Sequence, residues 1–120
     1  MSKHRDERLY LNDISDSTEA ILTFISDMSY EEFVNDRKTY SATIRELEII
    51  GEAVGKISNK TKAAYPDVLW QHIKAFRNKI AHEYFGVDFR IVWDIVRNEL
   101  PILYSQISTI LKDMTEGDDT

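Results

Sequence analysis

Cysteine is absent from the chain, which removes disulfides, thiolate metal sites and thiol nucleophiles together and suits a reducing compartment. Proline occurs twice and glycine four times, so little interrupts the pattern and long helices are available. No apolar run approaches the roughly 18 residues of a membrane span, and the charged stretch from Met1 to Arg8 precedes no signal-like apolar segment. The expectation is a cytoplasmic protein with no membrane segment. At 120 residues there is room for one domain with one core, small enough that a partner subunit would help to complete it.

A formal net charge of -6 argues against a nucleic-acid binder only as an average. From Lys60 to Arg90 there are six Lys/Arg against three acids, while the rest of the chain holds nine basic and eighteen acidic residues. Acid is concentrated elsewhere, notably at Glu116, Asp118 and Asp119. The middle of the chain therefore offers a modest basic patch that can meet phosphate.

Helical periodicity dominates the remainder. Tyr10, Ile14, Ile21, Phe24, Ile25 and Met28 predict a first helix from about 6 to 27. Ser29 with Glu32 has the form of a capping box and predicts a short turn through Phe33, broken by Asn35 and Asp36. A second long helix over 39–58 carries Ile44, Leu47, Ile50, Val54 and Ile57, with Gly51 and Gly55 spaced for close helix approach. Residues 59–65 read as a polar connection, and Pro66 as the first turn of a third helix bearing Leu69, Trp70, Ile73, Phe76 and Ile80. Gly86 is a stop signal. Asp88 can cap a last helix, with Val87 and Val92 placed as a hydrophobic staple and Pro101 predicting a kink or break. The pattern predicts an all-α, antiparallel four-helix bundle with a short extra turn and a kinked last helix. It spans residues 1–115, with a disordered acidic tail over 116–120.

Chemistry concentrates between Arg77 and Tyr84. Arginine presents a permanent planar cation that suits phosphate oxygens, and histidine exchanges protons near neutral pH. Together they can cut RNA with no metal and no cofactor, because the substrate's own 2′-hydroxyl is the nucleophile and the protein need only move protons and stabilise charge on phosphorus. At 100° per residue, positions 77 and 82 are separated by about 140° on a regular helix. They can share one substrate if the helix ends or distorts before His82, or if a second copy supplies the missing half. Asn78 is equally readable as a substrate contact or a cap-like hydrogen bonder, and Lys79 adds charge for substrate binding or is a plain surface cation. Trp70, Phe89 and Trp93 lie on helical stripes and read as core. His82-Glu83 is not followed by the second histidine of a HExxH site, and His4, His72 and His82 lack ligand spacing, so no metal site is expected.

The segment Arg77-Asn78-Lys79-Ile80-Ala81-His82-Glu83-Tyr84 matches the motif RxxxxHxY without departure. With Leu9 to Ile14, Arg45 to Ala53, Gly86-Val87-Asp88 and Val92-Trp93, the chain resembles the HepT-like members of the HEPN superfamily over nearly its whole length. That resemblance implies a HEPN-type bundle and an endoribonuclease toxin of a toxin-antitoxin pair. It also implies a homodimer with paired motifs facing each other, and a cognate MntA-type nucleotidyltransferase antitoxin that adenylylates Tyr84. The implied roles are catalysis for Arg77 and His82, substrate binding for Asn78 and Lys79, and modification for Tyr84. The alternative is a non-catalytic HEPN-like module that binds a nucleotidyltransferase or its substrate; an intact Arg77 and His82 argue against it.

Overall fold

Ser29 shows how locally the elements are set. Its hydroxyl accepts from the Glu32 amide at 3.1 Å while the Glu32 carboxylate accepts from the Ser29 amide at 2.9 Å, the reciprocal capping box expected from the sequence. In the computed structural model, which describes the backbone of residues 3–82 and 88–118 and the side chains of residues 7–76 and 88–116, this box starts α2 (Tyr30–Asn35). It follows α1 (Lys3–Ile25) and precedes α3 (Arg37–Gly55), which Asp36 caps through the Thr39 amide at 3.1 Å. Then come α4 (Asn59–Ala64), α5 (Trp70–His82), α6 (Phe89–Asp94), a π-helical segment Ile95–Glu99, and α7 (Leu100–Asp118). No strand occurs among the described residues, and none of their helices is long and apolar enough to cross a membrane.

The order of the long helices follows from contacts at their ends. Glu7 near the start of α1 accepts from the Ser58 amide at 2.6 Å and the Thr61 hydroxyl at 2.7 Å, so α1 begins where α3 finishes and the two are antiparallel. The Tyr65 hydroxyl donates to Asp113 at 2.8 Å, and Gln106 donates to the Asp67 carbonyl at 3.2 Å, bringing the end of α7 to the same pole. Further along, His72 Nε2 lies 2.6 Å from Glu99 Oε1, so α5 and the last rod also run antiparallel. The core is made of Leu11, Ile14, Ile21 and Ile25 from α1, Leu47, Ile50 and Val54 from α3, Ile73 and Phe76 from α5, and Val96, Leu100, Leu103 and Ile107 from the last rod. Burying each such side chain contributes roughly 1.5–3 kcal/mol, so this shared interior holds the four helices together.

Several boundaries differ from the sequence reading, each for a local reason. Residues 59–64 form α4 and not a polar connection, because Ser58 caps it by accepting from the Thr61 amide at 3.1 Å. Pro66 does not open α5. A residue before proline is pushed out of the α region, Tyr65 sits at φ -128° and ψ 66°, and a turn carries the chain to Trp70. Leu69 therefore lies outside the helix and is exposed, as is Phe24 at the edge of the α1 stripe. A Cβ on Gly55 would meet Lys74 Cε at 3.8 Å, an ordinary contact, so close helix approach does not require glycine there.

Pro101 gives neither a break nor a sharp kink. Proline removes the amide that would bond the carbonyl four residues back and crowds that carbonyl with its ring. The backbone responds one turn upstream by widening into the π segment, where the Leu100 amide donates to the Ile95 carbonyl. At the other end, α7 continues to Asp118 and keeps Met114 buried, passing the boundary at 115 that the acidic composition suggested. The Val87–Val92 staple, the Gly86 stop signal and the packing of Ile80 lie outside the described residues.

Candidate active site

Helix α5 starts at the pole shared by the end of α3 and the beginning of α1, so its C-terminal end, positions 77 to 82, points to the opposite pole. There α2, the start of α3 and α6 meet around one aromatic cluster. Phe33 is fully buried and packs against Trp93 at 5.1 Å between ring centroids, and against Tyr40 and Phe89 at 6.5 Å each. Tyr40 and Phe89 meet edge to face at 4.9 Å. Asp88 caps α6 by accepting from the Arg90 and Ile91 amides at 3.1 and 3.3 Å. The chain therefore leaves α5 at His82 and is secured again at Asp88, on rigid elements at the same end of the bundle.

Of the two ways for positions 77 and 82 to serve one substrate, the backbone removes the simpler. Helix α5 runs through His82 without ending early, so the five-residue step from Arg77 keeps its angular separation of about 140° and an axial rise of about 7.5 Å. The side chains of Arg77, Asn78, Lys79 and His82, and the whole of Tyr84, lie outside the described residues.

The basic stretch between Lys60 and Arg90 does not form one patch. Lys60, Lys62 and Lys74 belong to α4 and the first turns of α5, at the far pole; burial first, and then the charge of Lys74, push the Lys62 ammonium below its ordinary range. Only positions 77, 79 and 90 belong to the motif end. The sequence reading also missed a contribution from beyond that stretch. Arg97, in the π segment, places its guanidinium 5.6 Å from the centre of the Trp93 ring, and Arg90 stands 5.2 Å from that of Tyr30. Trp93 is thus half-buried, with Phe33 and Arg97 both against its ring, rather than a simple core residue. The signal was present as the spacing Arg90, Trp93, Arg97, which puts all three on one helical face.

A second surface on α5 lies away from the motif. Between α5 and the last rod runs a groove lined by His72, Ile73, Phe76, Leu100 and Leu103 and flanked by the exposed Leu69 and Ile102 (64% and 61% accessible). The His72–Glu99 contact crosses it, tying the motif-bearing helix to the π segment.

Comparison with known proteins identifies this architecture. The profile described as Ribonuclease HepT-like matches residues 14–110. The chain belongs to the HepT-like ribonuclease family. It is 42% identical over 115 residues to "Putative RNase MJ0127" of Methanocaldococcus jannaschii, covering 96% of this chain and 94% of that protein. It is 39% identical over 108 residues to "Probable ribonuclease HepT" of Thermococcus cleftensis (90% and 98% covered). It is also 38% identical over 105 residues to "Putative RNase TTE0752" of Caldanaerobacter subterraneus (88% and 94% covered). No solved structure gives a significant match. The HepT-like match reaches from the middle of α1 well into α7, so the motif, the aromatic cluster and the π segment all fall within the matched region.

Proposed function

We propose that this protein is a metal-independent endoribonuclease that cuts RNA through paired Arg77 and His82 side chains in a homodimer. It would act as the toxin of a toxin-antitoxin pair. The observation that carries the reading is the uninterrupted Arg77–Tyr84 motif at the free end of α5 in a chain of the HepT-like ribonuclease family. In this mechanism the 2′-oxygen of the substrate attacks the adjacent phosphorus while His82 manages the proton. The phosphorus–O5′ bond breaks, and the products are a 2′,3′-cyclic phosphate and a 5′-hydroxyl. Arg77 holds the non-bridging oxygens as negative charge builds on them, and Asn78 and Lys79 bind the neighbouring backbone.

Helical continuity through His82 supports a dimer, since a straight α5 separates the two motif positions and a second copy restores the pairing. The exposed Leu69 and Ile102 beside the α5–α7 groove supply apolar surface that a second copy would cover. Silencing would come from adenylylation of Tyr84 by a nucleotidyltransferase antitoxin. The tyrosyl oxygen attacks the α-phosphorus of ATP, pyrophosphate leaves, and the added AMP brings bulk and a negative phosphate to the place where RNA phosphate must enter. The test is cleavage of RNA in excess chelator by wild type, His82→Ala and Arg77→Ala proteins of verified helicity. Either substitution should lower the rate by about 10²- to 10⁴-fold. Cleavage that survives in both variants, or that stops in chelator, would overturn the assignment.

A further inference from the structure

On the outer face of α6 and the π segment, two arginines and two aromatic rings form a continuous series. Arg90 stands over Tyr30 at 5.2 Å, Tyr30 meets Trp93 edge to face at 6.2 Å, and Arg97 stands over Trp93 at 5.6 Å. Together with Asp94 and Asn98 these side chains line one shallow surface pocket. Among the described residues neither arginine forms an ion pair or hydrogen bond, so both guanidinium groups keep their donors for something else. The one acid of the pocket, Asp94, accepts from Asn98 at 2.7 Å.

We propose that Tyr30, Arg90, Trp93 and Arg97 form a subsite for single-stranded RNA flanking the scissile phosphate, the arginines taking backbone phosphates and the rings offering faces for bases. The proposal rests on the ribonuclease reading above and gives that reading a strand path. Four observations converge on it. The arginines are fixed at ring faces and so lose little side-chain freedom when they bind phosphate. Guanidinium groups suit phosphate oxygens, and aromatic faces stack bases regardless of sequence. In a chain of net charge -6 the pocket lacks a carboxylate against either arginine among the described residues, where opposite charges elsewhere would cancel. Finally, the pocket lies at the motif end: six residues separate His82 from Asp88, a span of at most roughly 20 Å, and α6 begins immediately after Asp88. A strand held at Arg90 would thus be within a few nucleotides of the motif, while Arg97, further along the same face, takes the next part of the backbone.

The experiment measures binding and cutting separately. Binding of a fluorescent single-stranded RNA of a dozen nucleotides to His82→Ala protein, which leaves it uncut, is followed by anisotropy across a salt series. Arg90→Gln with Arg97→Gln in that background should weaken binding at least tenfold and reduce the slope of log affinity against log salt by about 1.4, at roughly 0.7 per single-strand phosphate contact. In the otherwise wild-type enzyme the same pair should raise KM and leave kcat within about threefold. Trp70→Phe protein leaves Trp93 as the lone tryptophan, and its fluorescence should fall on addition of RNA. An unchanged affinity and salt slope in the glutamine variant, with its helicity intact, overturns the subsite while the ribonuclease reading stands. So does a loss of thermal stability with no change in RNA binding, which would make the arginines purely structural. Wild-type protein that neither binds nor cuts RNA defeats both readings. An unaltered Trp93 signal removes the stacking component.

Discussion

The straight course of α5 through His82 makes a quantitative statement about how two subunits would share the work. If the arginine of one copy pairs with the histidine of the other, a homodimer holds two complementary pairs. Arg77→Ala and His82→Ala homodimers each lack one member of both pairs, and each should fall to about 1% of wild-type activity or less. Mixing them changes the arithmetic. In a heterodimer one pair has lost both members and the other is whole, since the His82→Ala subunit still carries Arg77 and the Arg77→Ala subunit still carries His82. Random exchange of equal amounts makes about half of all dimers heterodimeric, so the mixture should recover about a quarter of wild-type specific activity, at least some 25-fold above either parent. The assay is cleavage of a quenched fluorescent RNA after overnight incubation of the two proteins, with exchange verified by native mass spectrometry on differently tagged copies. The double variant Arg77→Ala/His82→Ala supplies the complement, because its heterodimer with wild type would hold no whole pair. Heterodimers that form to the expected extent and stay at the parental rate would refute the shared pairing and place both groups in one subunit.

Further perturbations address the modification site, the core and the far pole. Co-expression with an active nucleotidyltransferase partner should add AMP to the peptide containing Tyr84, read as a mass increment, and Tyr84→Phe should cut RNA and escape silencing; AMP on a different residue of that variant would reassign the site. Thr43 Oγ1 is fully buried in α3 with no hydrogen-bond partner among the described residues, so Thr43→Val should stabilise the fold by about 1–3 kcal/mol, a rise in Tm of several degrees. A lower Tm would show that the hydroxyl is satisfied. Tyr65 is held above its ordinary pKa, chiefly by burial and then by its hydrogen bond and proximity to the Asp113 carboxylate. A raised folded-state value means that this contribution is fully present below pH 10 and is lost as the pH climbs through the folded-state pKa. Tyr65→Phe should therefore show a shallower alkaline loss of stability than wild type between pH 9 and 12, and identical slopes would remove Tyr65 from the linkage.

The fold was legible where a signal acts within one turn of chain. The capping box of Ser29 and Glu32, the Asp88 cap and the apolar stripes of α3 and α7 each depend on residues three or four apart, and each is found as expected. Failures came where a competing local signal was discounted. Ser58 turned a polar stretch into α4, and Pro66 acted on the residue before it instead of opening the helix after it. The motif of the candidate site was readable because its residues are consecutive on one helix. The neighbouring arginine–aromatic series was not, since Tyr30 comes from α2 and its partners from a rod some sixty residues later, and only the fold brings them together. Charge counted along the chain misled for the same reason: Lys62 and Lys74 share one pole, while Arg90 occupies the other.

The π turn at Ile95–Glu99 carries a consequence for which changes of length this protein can absorb. Deleting one residue within 95–99 would let the rod return to ordinary α geometry and could even improve its hydrogen bonding, yet everything before the deletion would rotate by about 100° relative to α7. Arg90 and Trp93 would swing away from Tyr30 and Phe33, although no side chain had been altered. The same single-residue loss on the solvent side of the α4–α5 turn would leave the phase of every core helix untouched. The last rod therefore behaves as a calibrated spacer, in which the number of residues matters as much as their identity.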